Sequence, residues 1–217
     1  MSKIIECRVI RPKDRTSPVL ATVEVLFDSG LRLVNMHLLR PADEGKKNRL
    51  KMPSVTTRTE RNIPAYFPLN QEARDAMFRA AEAALAEAVE MDINDHTKQF
   101  EPLAAGEEPR MPEFSNLRMH HFPVNANPVR AIFSVTVDKE VTLNRIVIVK
   151  DPETQMFSMR LPKFSMQSGR RQARYFRLRP GTYDELYNLA MEAYFNPPEE
   201  EQGETVSQAE EPAEQAS

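Results

Sequence analysis

The chain writes one pattern twice. Pro18 to Arg40 reads PVLATVEVLFDSGLRLVNMHLLR and Pro128 to Lys150 reads PVRAIFSVTVDKEVTLNRIVIVK, equal in length and 110 residues apart. Six of the 23 positions are identical, Asp28 and Asp138 among them, and the hydropathy pattern agrees further than the letters do. Apolar side chains fall at 19, 21, 23, 25 and 27, and again at 129, 131, 133, 135 and 137. Alternation with period two predicts a half-buried strand, because successive side chains leave opposite faces of a sheet. Asp28-Ser29-Gly30 supplies turn chemistry, the two aspartates bonding nearby backbone, and a second β-rich run then ends on Arg40 or Lys150. The pattern predicts one β-hairpin used twice.

The repeat continues past the hairpin. Leu50-Lys51-Met52-Pro53 matches Met159-Arg160-Leu161-Pro162 at a pitch of 109, and Tyr66-Phe67 is paired with Tyr175-Phe176. Met77, Phe78, Ala81 and Leu85 then correspond to Leu186, Tyr187, Ala190 and Tyr194, a spacing that lines one face of a helix. Asn70 suits the N-cap of the first helix, and Thr182 with Glu185 forms a capping-box pattern for the second. A pitch this long is domain-sized, so the expectation is a duplicated domain and not a solenoid. The predicted fold class is α+β: two tandem copies of a small antiparallel β-sheet domain with one packed C-terminal helix, paired as an intramolecular pseudo-dimer. A unit of this size buries only about 60% of its unfolded surface, so pairing the copies would help stability. The expected boundaries are residues 1–90, an acidic proline-bearing linker at 91–115, a second domain at 116–197, and a disordered acidic tail at 198–217.

Charge is segregated along the chain. The formal net charge is −3, yet seven of the 32 acidic residues lie in the last 20 positions, so the remainder carries 29 basic against 25 acidic residues. The tail either shields a basic surface or only aids solubility; both readings stand. Cys7 is the single cysteine, which argues against a disulfide framework and suits the cytoplasm; in an opening strand it acts as a small apolar residue. No apolar run approaches the length of a membrane span, so no membrane contact is expected. Adjacent His120 and His121 on a strand point oppositely, so no metal site is expected there. With six glycines and no GxGxxG, Walker or GxSxG pattern, neither a cofactor nor an enzymatic activity is expected.

Two connecting stretches carry the functional signal. Gly45 to Arg61 holds Lys46, Lys47, Arg49, Lys51, Arg58 and Arg61 against Glu60 alone. Arg160 to Arg179 holds Arg160, Lys163, Arg170, Arg171, Arg174, Arg177 and Arg179 with no acid. A locally single-signed field of this kind attracts polyanions. The expected nucleic-acid contacts are Lys46, Lys47, Lys51, Arg58, Arg61, Arg160, Lys163, Arg170, Arg171 and Arg174. Each phosphate so neutralised contributes about −0.9 to the log–log salt slope on duplex DNA. Tyr66, Phe67, Tyr175 and Phe176, alternating with other residues, are expected in the core. The alternative function is a protein–protein interaction module that uses the acidic segments for docking.

The ordered series resembles the SpoVG family of bacterial septation and sporulation regulators. The first copy carries Ile4-Ile5-Glu6-Cys7-Arg8-Val9, the Ala21-to-Phe27 strand, Met52-Pro53-Ser54, and Phe67-Pro68-Leu69-Asn70 leading to a helix with Arg74 near its start. The second keeps Val147-Ile148-Val149-Lys150-Asp151-Pro152, Leu161-Pro162 and Tyr175-Phe176. The resemblance implies a small α+β domain that pairs as a dimer and binds DNA and RNA without catalysis. It also implies regulation of cell division or septation, and self-association through sheet edges or helices. Where that family carries a basic pair after Met-Pro-Ser, this chain has Val55-Thr56 and recovers charge at Arg58 and Arg61. The second copy has Lys163 in place of the serine.

Overall fold

In a computed structural model, residues 2–41, 43, 45–56, 61–101, 103, 106–123, 128–165 and 171–197 are described. Strands β1 (Ile4–Ile10), β2 (Val19–Phe27) and β3 (Arg32–Leu39) form a meander, and β4 (Arg49–Lys51) adds to the edge of β3. A ribbon of β5 (Ser54–Thr56) and β6 (Asn62–Pro64) follows, then β7 (Tyr66–Pro68) and helix α1 (Gln71–Glu90). After β8 (Asp95–Gln99) the same order returns. Strands β9 (Phe114–His121), β10 (Val129–Val137), β11 (Val141–Lys150) and β12 (Phe157–Arg160) make the second meander. The ribbon β13 (Lys163–Ser165) and β14 (Gln172–Arg174), then β15 (Phe176–Arg177) and helix α2 (Pro180–Phe195), complete it. Every strand pair among the described residues is antiparallel, and the fold is α+β.

The segment read from sequence as an acidic linker has a strand inside it. β8 lies antiparallel to β1, with Ile10 opposite Asp95 and Arg8 opposite Thr97. The Arg8 guanidinium forks onto the Asp95 carboxylate, and Glu87 of α1 takes both His96 and Lys98. Those partners are set by tertiary contact, so the acidic, proline-bearing composition hid them.

Helix α1 starts where Asn70 Oδ1 accepts the Ala73 N–H at 2.7 Å, as its sequence suggested. Its buried stripe is Ala73, Met77, Ala80, Ala81, Ala84 and Ala88, and the alanines let the helix lie close over β1 and β8. The second helix begins earlier than the Thr182–Glu185 pattern implied. Its N-cap is Arg179, which makes no side-chain cap, and Pro180 occupies the first turn, where a missing N–H costs nothing. Thr182 is fully buried instead, accepting from Arg179 Nε and donating to Met111 Sδ.

Between the two meanders, strands are traded. β7 leaves the first meander and pairs with β11, setting Tyr66 opposite Leu143 and Phe67 opposite Thr142. β15 returns the exchange on β3, setting Phe176 opposite Leu33 and Arg177 opposite Arg32. The flanking bonds are equivalent too: Asn144 N–H donates to Ala65 O and Val34 N–H donates to Tyr175 O, each at 2.8 Å. These pairs coincide at a shift of 110, so Tyr66 is the counterpart of Phe176, and Ala65 of Tyr175. The match of Tyr66-Phe67 with Tyr175-Phe176 was therefore one residue out, because the β13–β14 connection is one residue longer than that of β5–β6.

A bulge in each meander makes room for the trade. Register slips between Val23 and Val25 on β2 and between Phe133 and Val135 on β10, where Asn35 (φ 70°) and Arg145 (φ 62°) take left-handed backbone. On one side of the bulge the edge of β3 or β11 takes the visiting strand; on the other it takes its own β4 or β12. Tyr66 and Phe176 are both fully buried, and one hydrophobic cluster runs from Cys7 to Ala190 across both meanders.

Candidate nucleic-acid interface

The two basic stretches form β4, β12 and the two ribbons. Both ribbons close at the base in one way: Ala65 N–H donates to Pro53 O at 2.9 Å, and Tyr175 N–H to Pro162 O at 3.1 Å. The bases also touch each other, since Tyr175 Oη donates to Ser54 O at 3.2 Å. Burial raises the Tyr175 phenol above its ordinary range, so this donor keeps its proton.

Of the cations expected from sequence, Lys46, Lys47, Lys51, Arg61, Arg160, Lys163, Arg171 and Arg174 are all exposed. Arg58 and Arg170 lie outside the described residues, as does the acidic tail. Lys46 is tied to Asp43. Lys163 and Arg174 stand directly opposite on the second ribbon, a like-charge pair where the first ribbon has Ser54 and Pro64.

A concavity lies between β4, the base of β6, β7 and the start of α1. It is a groove of about 670 Å3 whose polar lining is Arg49, Lys51 and Arg74, with Pro64, Phe67 and Pro68 as its apolar wall. No acid lines it, and none of the three cations has an ion-pair partner among the described residues. Phe67, expected in the core with Tyr66, Tyr175 and Phe176, is the exception of the four. It is half-buried because β7 is itself the outermost strand where it pairs with β11, and it lines the groove. Lys47 joins Arg49 and Arg74 along the next stretch of surface.

The corresponding surface of the second meander has another arrangement of charge. The counterparts of Arg49, Lys51, Pro64, Phe67 and Arg74 are Ser158, Arg160, Arg174, Arg177 and Tyr183. Three cations recur at largely different positions. Tyr183 Oη donates to Met159 O at 2.5 Å and Tyr187 Oη to Phe157 O at 3.2 Å, so two phenols occupy the flank of β12. Burial pushes the Tyr183 phenol up, and nearby Arg174 pulls it the other way.

Arg49 and Arg74 were not among the expected contacts. Arg49 shares the solvent side of a strand with Lys51 at a spacing of two, a signal the sequence does hold. Arg74 required knowing that the start of α1 returns beside β4. Elsewhere, Cys7 is fully buried and its thiol is pushed up to about 12 by desolvation. His121 stacks on Tyr194 and His120 meets Phe122 edge-on. Among the described residues no group of His, Cys, Asp and Glu is placed to hold a metal, and no helix is long and apolar enough to cross a membrane. No family model, curated protein or solved structure matches the chain.

Proposed function

We propose that this protein is a non-enzymatic, nucleic-acid-binding regulator in which two SpoVG-like units share one chain as an intramolecular pseudo-dimer. What supports the pairing is the reciprocal exchange of β7 and β15 at matching register. The observation that carries the binding is the groove of Arg49, Lys51 and Arg74, three cations without acidic partners beside the half-buried Phe67. Cations along a channel neutralise phosphates, and an aromatic wall offers a stacking surface that any base can use, a combination suited to single strands of DNA or RNA. Lys163, Arg174, Arg160 and Arg171 extend the positive surface around the joined ribbon bases. A cytoplasmic role in regulating division or septation is what the SpoVG resemblance adds to this reading.

The test is a titration with single- and double-stranded DNA and RNA over a range of salt. Binding should weaken with salt, and Lys51→Glu with Arg74→Glu should lower affinity and flatten the slope by about 0.7 per lost phosphate contact on a single strand. No retention of any nucleic acid in dilute buffer would overturn the proposal and leave the protein-docking alternative.

A further inference from the structure

The two meanders end differently on their outer edges. In the first, β8 covers β1; in the second, β9 is the last strand of its sheet and no described strand pairs with its outer side. We propose that this edge of β9 is a docking site for a segment of the chain's own tail, Glu204 to Gln208, added as an antiparallel strand in the place that β8 takes on β1.

Four observations lead there. The helices coincide at a shift of 109, buried Ala73, Met77 and Ala81 matching Thr182, Leu186 and Ala190. At that shift Asp95-His96-Thr97-Lys98-Gln99 falls on Glu204-Thr205-Val206-Ser207-Gln208, preserving the acid, the β-branched residue and the glutamine at the three outward positions. Charge agrees as well. Arg8 on β1 is held by Asp95 and Glu24; its counterpart on β9 is Arg118, while that of Glu24 is Ser134. Arg118 is exposed, with no ion-pair partner among the described residues, and Glu204 would meet it as Asp95 meets Arg8. Reach is sufficient too. Eight residues separate Phe195 from Glu204, and an extended chain of that length spans up to about 26 Å. The same interval after α1 is partly helical and hence shorter. Finally, β9 is an edge strand of eight residues, a length of unpaired backbone that proteins rarely leave bare.

Hydrogen exchange on the full-length protein tests this without disturbing the folded part. Val206→Pro removes a backbone donor from the added strand, and Glu204→Lys sets like charge against Arg118. Each should speed exchange of the outward amides of β9 by about tenfold while leaving β1 unchanged. The double variant Arg118→Glu with Glu204→Lys should restore the protection lost in Glu204→Lys alone. Unchanged β9 exchange in Val206→Pro would overturn the inference. So would β9 protection that rises with protein concentration, since the edge would then be covered by a second copy.

Discussion

Asp28 and Asp138 stand 110 residues apart in the chain and meet on one guanidinium. Arg110 Nη1 and Nη2 reach the two oxygens of Asp138 at 2.8 Å each, and Arg110 Nε reaches Asp28 Oδ2 at 3.2 Å. The turns of both hairpins are thereby pinned together by a residue of the connecting segment. Burial alone would raise the Asp138 carboxyl, but bonds from Arg110, the Glu113 N–H and the Ser2 hydroxyl overcome it and hold the group below the usual carboxylate range. A carboxyl depressed on folding stabilises above its unfolded pKa of about 3.9 and loses that contribution as pH falls through the folded value. The wild-type melting temperature should therefore hold down to about pH 4 and fall below it. Arg110→Ala leaves two poorly solvated carboxylates, and with the arginine partly exposed the expected loss is about 1–2 kcal/mol at neutral pH. Because the variant no longer holds Asp138 depressed, its melting temperature should depend less on pH in the acid range, and the gap to wild type should narrow below about pH 4, measured by thermal melts from pH 3 to 8.

The strand exchange predicts that damage in one half appears in the other. Phe176→Ala empties a fully buried site opposite Leu33 and should cost about 3–5 kcal/mol. The amides of β3, in the first half, should lose protection before those of β10. Tyr66→Phe, which removes a 2.8 Å buried bond from Tyr66 Oη to Val34 O, should cost about 1 kcal/mol. Unfolding should stay a single transition in calorimetry; two separable transitions would show that the halves do not share a core.

What could be read from the sequence was whatever depended on local period. The hairpins at 18–40 and 128–150 and the helix seams through Met77 and Leu186 follow from alternation and 3.6-residue spacing, and they stand where expected. The exchange was not legible, because Tyr66-Phe67-Pro68 reads the same whichever sheet it joins. Letter identity sets Tyr66 over Tyr175, whereas strand register makes Phe176 the equivalent of Tyr66. Asp28 and Asp138 were legible as turn residues but not as partners of Arg110, a contact that exists only once the halves are apposed. The groove was half legible: its cations are in the basic stretch, yet the place of Arg74 depends on the path of α1.

For the groove, the contribution of stacking should separate from that of charge. Phe67→Ala should weaken single-stranded binding by about 1–3 kcal/mol and change the salt slope little. Arg49→Glu with Arg74→Glu should weaken single and double strands alike and flatten the slope. Acid near a helix N-terminus is favoured by the macrodipole, so Arg74→Glu should leave α1 intact, which circular dichroism would verify. Equal loss on both substrates from Phe67→Ala would show that the ring supports the fold and does not touch bases.

The opposed pair on the second ribbon sets stability against binding. Lys163 and Arg174 repel across β13 and β14, where an opposite pair would contribute about 0.2–1 kcal/mol. Phe164 packs on the core and against the Tyr175 ring, so the ribbon is held from its apolar side and can tolerate a like-charge pair whose repulsion a bound phosphate would relieve. Lys163→Glu should thus raise the melting temperature slightly and lower nucleic-acid affinity, while Lys163→Ser, the residue found at Ser54, should be near neutral for stability and intermediate for binding. If Lys163→Glu gains stability and keeps full affinity, the second ribbon lies off the binding surface, and the first-half groove must then account for binding alone.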